Sequence, residues 1–188
     1  MADTKKINRC NRRRGAALEK WAADFLGMDL VPYSGSNNRF GYGDIRDTKW
    51  LGECKNITPE DDTVVIRRKW LDKNRERADN VNKLPFLIFM IRGKASKYIV
   101  VSIDIEQFPE MSTVVPTVYH SQVKSQYNMV NLRIPLTLLK QTYDRGYKAI
   151  HYSAEGVGDY YIMRAELFRR ILNEYGLKGK TISIMGGE

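Results

Sequence analysis

A chain of 188 residues is long enough for one domain, or one domain with an appendage, and its 43% hydrophobic content supplies a sizeable core, which excludes a disordered basic tail. No apolar run approaches the ~20 residues of a membrane span, and the N-terminal MADTKKINRCNRRRG carries cations without the apolar stretch of a secretory signal. Cys10 and Cys54 are the only cysteines and form no C-x-x-C pair, so with a net charge of +9 the sequence reads as a soluble, cytoplasmic protein of a reducing compartment.

Taken in chain order, residues 16–26 place Leu18, Trp21, Ala22 and Phe25 on one helical face, and Gly27 stops the helix. A short strand over 30–33 leads into the turn-rich loop 34–38. Strands over 43–46 and 50–56 flank the polar turn Asp47-Thr48-Lys49, and 58–62 is a loop before a short strand at 64–66. Residues 68–80 read as a helix whose buried stripe is Trp70, Leu71, Ala78 and Val81. The β-branched runs 86–91 and 98–103 form a strand pair. The order implies a mixed α/β fold with a central sheet flanked by helices.

Residues 105–127, with Pro109 and Pro116, read as a connection. Beyond it the pattern partly recurs: a strand at 130–134, a helix at 135–144, strands at 148–152 and 160–163 about a Gly-Val-Gly turn, and a final helix at 164–175. VIRRKWLDKNRERA (65–78) aligns loosely with NLRIPLTLLKQTYD (131–144), the pattern of a partial β-α-β-β repeat. The chain thus divides into 1–105 and a C-terminal α/β extension, 106–188.

The positive charge is concentrated. Residues 1–14 and 67–77 together hold twelve cations and three anions, which is the whole excess of +9. Either segment alone reads as a solvated helix face or a tail; together they suggest a surface that neutralises phosphates. Neither pairs its charge with a broad apolar face, so a membrane surface is the weaker partner.

The most informative stretch is Gly43-Asp44-Ile45 followed by Leu51-Gly52-Glu53-Cys54-Lys55. Side chains on a strand alternate, so Glu53 and Lys55 share a face and Cys54 points the other way, towards the core. A two-residue turn at Asp47-Thr48 sets Asp44 opposite Leu51 and diagonal to Glu53, whereas a three-residue turn sends Asp44 to the far face unless a bulge restores it. Two converging carboxylates repel unless a cation neutralises them. Oxygen donors, with the Cys54 carbonyl as a third, suit Mg²⁺, with Mn²⁺ as a substitute. Lys55 beside them supplies charge for phosphodiester hydrolysis. Spacing alone equally fits an ordinary surface hairpin with a Glu–Lys pair.

These residues resemble the PD-(D/E)XK nuclease superfamily, with Asp44 as its acid, Glu53-Cys54-Lys55 as its E-x-K, and Gly43 where the family has proline. The order of features over about 9–105 is similar to the archaeal-type Holliday-junction resolvases: a basic segment, a helix with Glu19, a strand, a serine-containing loop, the Asp and the E-x-K strand. The resemblance implies a restriction-endonuclease-like core, divalent-metal dependence, and a homodimer acting on branched DNA such as a four-way junction. It assigns Asp44 and Glu53 as metal ligands, Lys55 as catalytic lysine, Glu19 as an auxiliary acid, and Ser34 or Ser36 as a phosphate contact. The DNA-contact set is completed by Arg12, Arg13, Arg14, Arg39, Arg68, Lys69 and Lys73. The extension from 106 departs from the compact resolvase plan. A duplex, flap or sequence-selective endonuclease is the alternative within the superfamily, and a non-catalytic DNA-binding protein the alternative outside it. His120 and His151 read as structural, and nothing has nucleotide-loop spacing.

Overall fold

The computed structural model describes residues 2–31, 42–92, 94, 97–103, 117–123, 131–144, 149–154, 158–174, 176 and 179. Helix α1 runs over Ala2–Leu26, so the basic N-terminal segment is itself helical. It ends as its sequence dictates: Gly27 takes a φ of 63°, and the Met28 N–H reaches back to the Ala23 carbonyl at 3.0 Å. Then come β1 (Asp29–Leu30), β2 (Ile45–Arg46), β3 (Trp50–Ile57), β4 (Thr63–Arg67), α2 (Arg68–Asp79), β5 (Leu84–Ile91) and β6 (Lys97–Ile103). The later part contributes β7 (Thr117–Val123), β8 (Asn131–Pro135), α3 (Leu136–Asp144), β9 (Ala149–Ala154), β10 (Gly158–Arg164) and α4 (Ala165–Glu174).

Eight strands form one mixed sheet in the order β1-β2-β3-β5-β6-β10-β9-β7, and β4 and β8 form a second, two-stranded sheet. On one face, Trp50, Cys54, Phe86 and Ile88 pack against Leu18, Ala22 and Leu26 of α1 and against Leu167, Phe168 and Ile171 of α4. The rings of Trp50 and Phe168 meet edge to face, with centroids 5.4 Å apart. On the other face, Leu87, Phe89 and Ile91 pack with Leu71 of α2, Leu139 of α3 and the β4–β8 ribbon. β5 is covered on both faces, which is why it reads as a continuous apolar run rather than an alternating one.

The elements recur in order. β3-β4-α2-β5-β6 is followed by β7-β8-α3-β9-β10. β3 and β5 are parallel, as are β7 and β9; β5–β6 and β9–β10 are antiparallel. Like elements meet across the middle: β6 pairs antiparallel with β10, and β4 with β8. The helix boundaries place Thr63–Arg67 over Asn131–Pro135, two residues from the loose sequence alignment. Leu71 and Leu139 are then the fourth residues of their helices and both are buried; Asn74 and Thr142 are the seventh, and both are buried polar residues.

Three expectations need correction. The 105–127 connection contains strand β7, Thr117–Val123, while Pro109 and Pro116 lie outside the described residues. The expected strand at 30–33 is described only as Asp29–Leu30, with residues 32 and 33 outside the described residues. The stripe of α2 is Leu71, Asn74 and Ala78, with Val81 exposed, because the helix ends at Asp79 and Asn82 turns the chain with a φ of 51°. Among the described residues, no helix is long and apolar enough to cross a membrane.

Candidate active site

The site is built by a hairpin whose register differs from the expected one. Asp47 donates its N–H to the Trp50 carbonyl at 3.1 Å, and Ile45 pairs with Gly52 and Arg46 with Leu51, so the turn centres on Thr48-Lys49. The two-residue slip keeps every side chain on its face. It brings Asp44 level with Glu53 instead of Leu51. The Asp44 N–H also donates to the Gly52 carbonyl at 2.8 Å, so Asp44 and Ile45 face one residue of β3, a bulge-like doubling.

The turn is fixed by Asp47, which is fully buried. Its Oδ1 accepts the N–H groups of Lys49 and Trp50, both at 2.7 Å, and its Oδ2 accepts that of Gly179 at 2.9 Å. Lys83 donates to its carbonyl. Gly43 takes a φ of 79°, and a Cβ there would lie 2.7 Å from Leu51 Cδ1. Proline, fixed near −65°, cannot occupy this backbone, which accounts for its absence.

Past the end of β2, no described residue pairs as a strand with Cys54 on this edge of β3. The Asp44 carboxylate takes that place: its Oδ2 accepts the Cys54 N–H at 2.7 Å, and Asp44 is buried. In an antiparallel ladder a residue's N–H and C=O point to the same side, so the Cys54 carbonyl opens at this edge too. Lys55 Nζ donates to it at 3.2 Å and to Glu53 Oε1 at 2.5 Å. Arg77, near the end of α2, holds Glu53 Oε2 at 3.3 Å. Both oxygens of Glu53 are thus engaged by cations.

Glu19 approaches from α1. Its carboxyl is raised above the ordinary value of 4.5, first by burial and then by the charges of Asp44 and Glu53, with Lys55 opposing. Glu19, which the resemblance assigns as an auxiliary acid, is therefore within electrostatic reach of the other two acids. Burial, and after it Asp44, Glu19 and Glu53, push the Cys54 thiol well up; it packs in the core as a neutral group and is no nucleophile.

The donor set fits a hard divalent ion. It offers two carboxylates and a carbonyl, all oxygen, and an ion held by them would keep part of its water shell. It is not a closed cage: among the described residues, no three His, Cys, Asp or Glu side chains lie close enough to hold an ion by themselves.

Next to this edge lies a cleft of about 670 Å³ whose polar lining includes Asn11, Arg14, Lys55, Asn56 and Arg92. It contains three cations and no acid. Of the expected DNA contacts, Arg14 lines this cleft, and Arg12 and Arg13 are exposed beside it on α1. Arg68 is ion-paired with Asp72 at 3.3 Å, and Lys69 and Lys73 are exposed on α2. Arg68 stands nine residues before Arg77, roughly 13 Å along the helix from the site. Ser34, Ser36 and Arg39 lie outside the described residues. His151 is buried and stacked on Tyr161 at 4.5 Å, a structural placement.

Sequence reasoning missed Arg77 and Arg92. Arg77 was counted as part of a charged segment, yet its place beside the buried Asn74 and Ala78 turns it to the sheet. Arg92 follows β5, whose parallel pairing with β3 brings the two strand ends together, and its N–H donates to the Ile57 carbonyl at 2.8 Å. No sequence signal marks that pairing. Compared with protein-family profiles, curated proteins and solved structures, the chain matches none.

Proposed function

We propose that the chain is a divalent-cation-dependent DNA endonuclease that hydrolyses phosphodiester bonds, with a four-way junction as its first candidate substrate. One observation carries this reading: Asp44, Glu53, Lys55 and the Cys54 carbonyl meet at a strand edge that opens beside a cation-lined cleft. The preference for branched DNA rests on the resemblance of 9–105 to junction resolvases.

In this reading Asp44, Glu53 and the Cys54 carbonyl hold the ion, with Glu19 as auxiliary acid. The bound ion supplies Lewis acidity and neutralises charge between the carboxylates and a DNA phosphate. Lys55 places its ammonium against the charge that develops on phosphorus oxygens as water attacks and one P–O ester bond breaks. Arg14 and Arg92 bind neighbouring phosphates and set the strand's position in the cleft. Asp47 orients the hairpin and touches no substrate.

The test is incubation of a labelled four-way junction and a matched linear duplex with Mg²⁺ or EDTA, beside Glu53→Ala. Cleavage of the junction that needs both the ion and Glu53 supports the reading. Cleavage of both DNAs retains the chemistry and makes the enzyme a general or sequence-selective endonuclease. Cleavage by Glu53→Ala at the wild-type rate places the chemistry elsewhere.

The engagement of both Glu53 oxygens by Lys55 and Arg77 favours a second reading, a DNA-binding protein without chemistry. Tight, salt-sensitive junction binding with no cleavage in Mg²⁺ or Mn²⁺ decides for it.

A further inference from the structure

The first half, β3-β4-α2-β5-β6, leaves two strand edges that need cover, those of β6 and β4. Each is covered by its own counterpart in the second half: β6 by β10 through six residue pairs, and β4 by β8 through five. Both contacts are antiparallel, like against like, which is the relation a two-fold axis imposes on an isologous dimer. One chain therefore contains the pairing that two identical subunits would otherwise supply.

The two halves differ at the strand that carries the site. By topology β7 occupies the place of β3: it runs parallel to β9 as β3 does to β5, with β7 ending the sheet and β2 and β1 lying beyond β3. β3 contains Glu53 and Lys55. Neither β7, TVYHSQV, nor its partner β9, AIHYSA, contains a single carboxylate or lysine. Among the described residues, β7 and β9 thus carry no counterpart of the Glu53 and Lys55 of the first half.

We propose that a single chain is a self-paired unit with one cutting centre, so that it nicks one DNA strand per encounter instead of making paired incisions. This rests on the endonuclease reading above and names its product. Each event is the hydrolysis of one phosphodiester: a water oxygen bonds to phosphorus, one P–O bond breaks, the leaving oxygen takes a proton, and no electrons are transferred.

The experiment uses the full chain, Mg²⁺ and a supercoiled plasmid whose inverted repeat extrudes as a four-way junction. The expected course is accumulation of nicked circles, with linear DNA appearing only later from independent second events. In a parallel series at constant total protein, wild type is diluted with Glu53→Gln chain. The expected nicking rate falls in proportion to the active fraction, and sedimentation shows one chain on each junction. Lys55→Ala serves as the diluent if circular dichroism shows that Glu53→Gln has not folded. Linear DNA formed without a nicked intermediate, a rate falling as the square of the active fraction, or two chains per junction overturns the single-centre proposal while leaving the nuclease reading intact. Absence of any cleavage in Mg²⁺ or Mn²⁺ overturns both, and only that outcome touches the reading of the site.

Discussion

Two halves of this chain share a topology and differ in what they place on the first strand of the shared order, β3 in one and β7 in the other. In the first, β3 brings Glu53 and Lys55 to an open edge beside Asp44; in the second, β7 brings Tyr119, His120 and Gln122 to the corresponding strand. The comparison teaches that the packing shared by the two halves is separable from the charged residues that only β3 carries. Apolar residues at equivalent places, such as Leu71 and Leu139, hold both halves together. Nothing in that packing requires a carboxylate pair, so one half can carry the site and the other can do without it.

The sharpest way to break the comparison is at β3 and β7. Glu53→Gln is expected to slow cleavage on the order of 10³-fold, roughly 4 kcal/mol of lost transition-state stabilisation, with DNA affinity nearly unchanged. His120→Gln in β7 is expected to leave the rate as it was. Single-turnover cleavage of one labelled junction by both variants checks this, and equal losses would erase the distinction between the halves.

A second difference is packing under the site. β3 carries a glycine where a Cβ would meet Phe86 Cζ at 2.4 Å and Ile45 Cγ1 at 2.7 Å, and β7 carries none. Gly52→Ala is expected to cost about 3 kcal/mol through overpacking, read as a lower urea midpoint.

The buried polar residues on the two helices sharpen the comparison further. Asn74 Nδ2 donates to the Phe86 carbonyl at 2.8 Å, joining helix to sheet, whereas Thr142 Oγ1 donates to the Leu139 carbonyl at 2.6 Å within its own helix. Asn74→Ala is expected to destabilise by about 2 kcal/mol, because it strands a buried carbonyl, and Thr142→Val by about 1 kcal/mol or less. Equal urea-midpoint shifts would mean that the helices are anchored alike.

Smaller effects come from charge. Arg14→Gln and Arg92→Gln are each expected to flatten the plot of log affinity against log salt by about 0.9 if each neutralises one phosphate. An unchanged slope removes that residue from the interface. For Glu19, the raised carboxyl means that folding favours its protonated form. The penalty is absent below the ordinary value of 4.5 and grows as pH rises from there through the raised value. In EDTA, wild type is therefore expected to lose stability across that window relative to Glu19→Gln; parallel urea profiles from about pH 4 to about pH 8 would contradict it.

Much of this was legible in the sequence, for physical reasons. The amphipathic period of 16–26 and the β-branched runs at 86–91 and 98–103 identify a helix and two strands because burial imposes those periods. The alternation along Glu53-Cys54-Lys55 placed the thiol in the core and the charged pair on the other face. The register of the hairpin was not legible. It depends on the Asp47 carboxylate folding back on the N–H groups of Lys49 and Trp50, a choice that composition leaves open. Nor was Arg77, whose role depends on how α2 is rotated over β3. β7 was hidden because a mostly polar edge strand has neither strong alternation nor an apolar run.

The bond between the Gly179 N–H and Asp47 Oδ2 spans 132 positions. At ordinary elongation rates, roughly 7–25 s pass on the ribosome between synthesis of its two ends. The tip that aligns Asp44 with Glu53 thus receives this hydrogen bond only after the 132 residues that follow Asp47 have been made. A nascent chain can lay down β3 and β5 early, but the hairpin that aims its acids is locked by a residue that arrives only after β10 and α4.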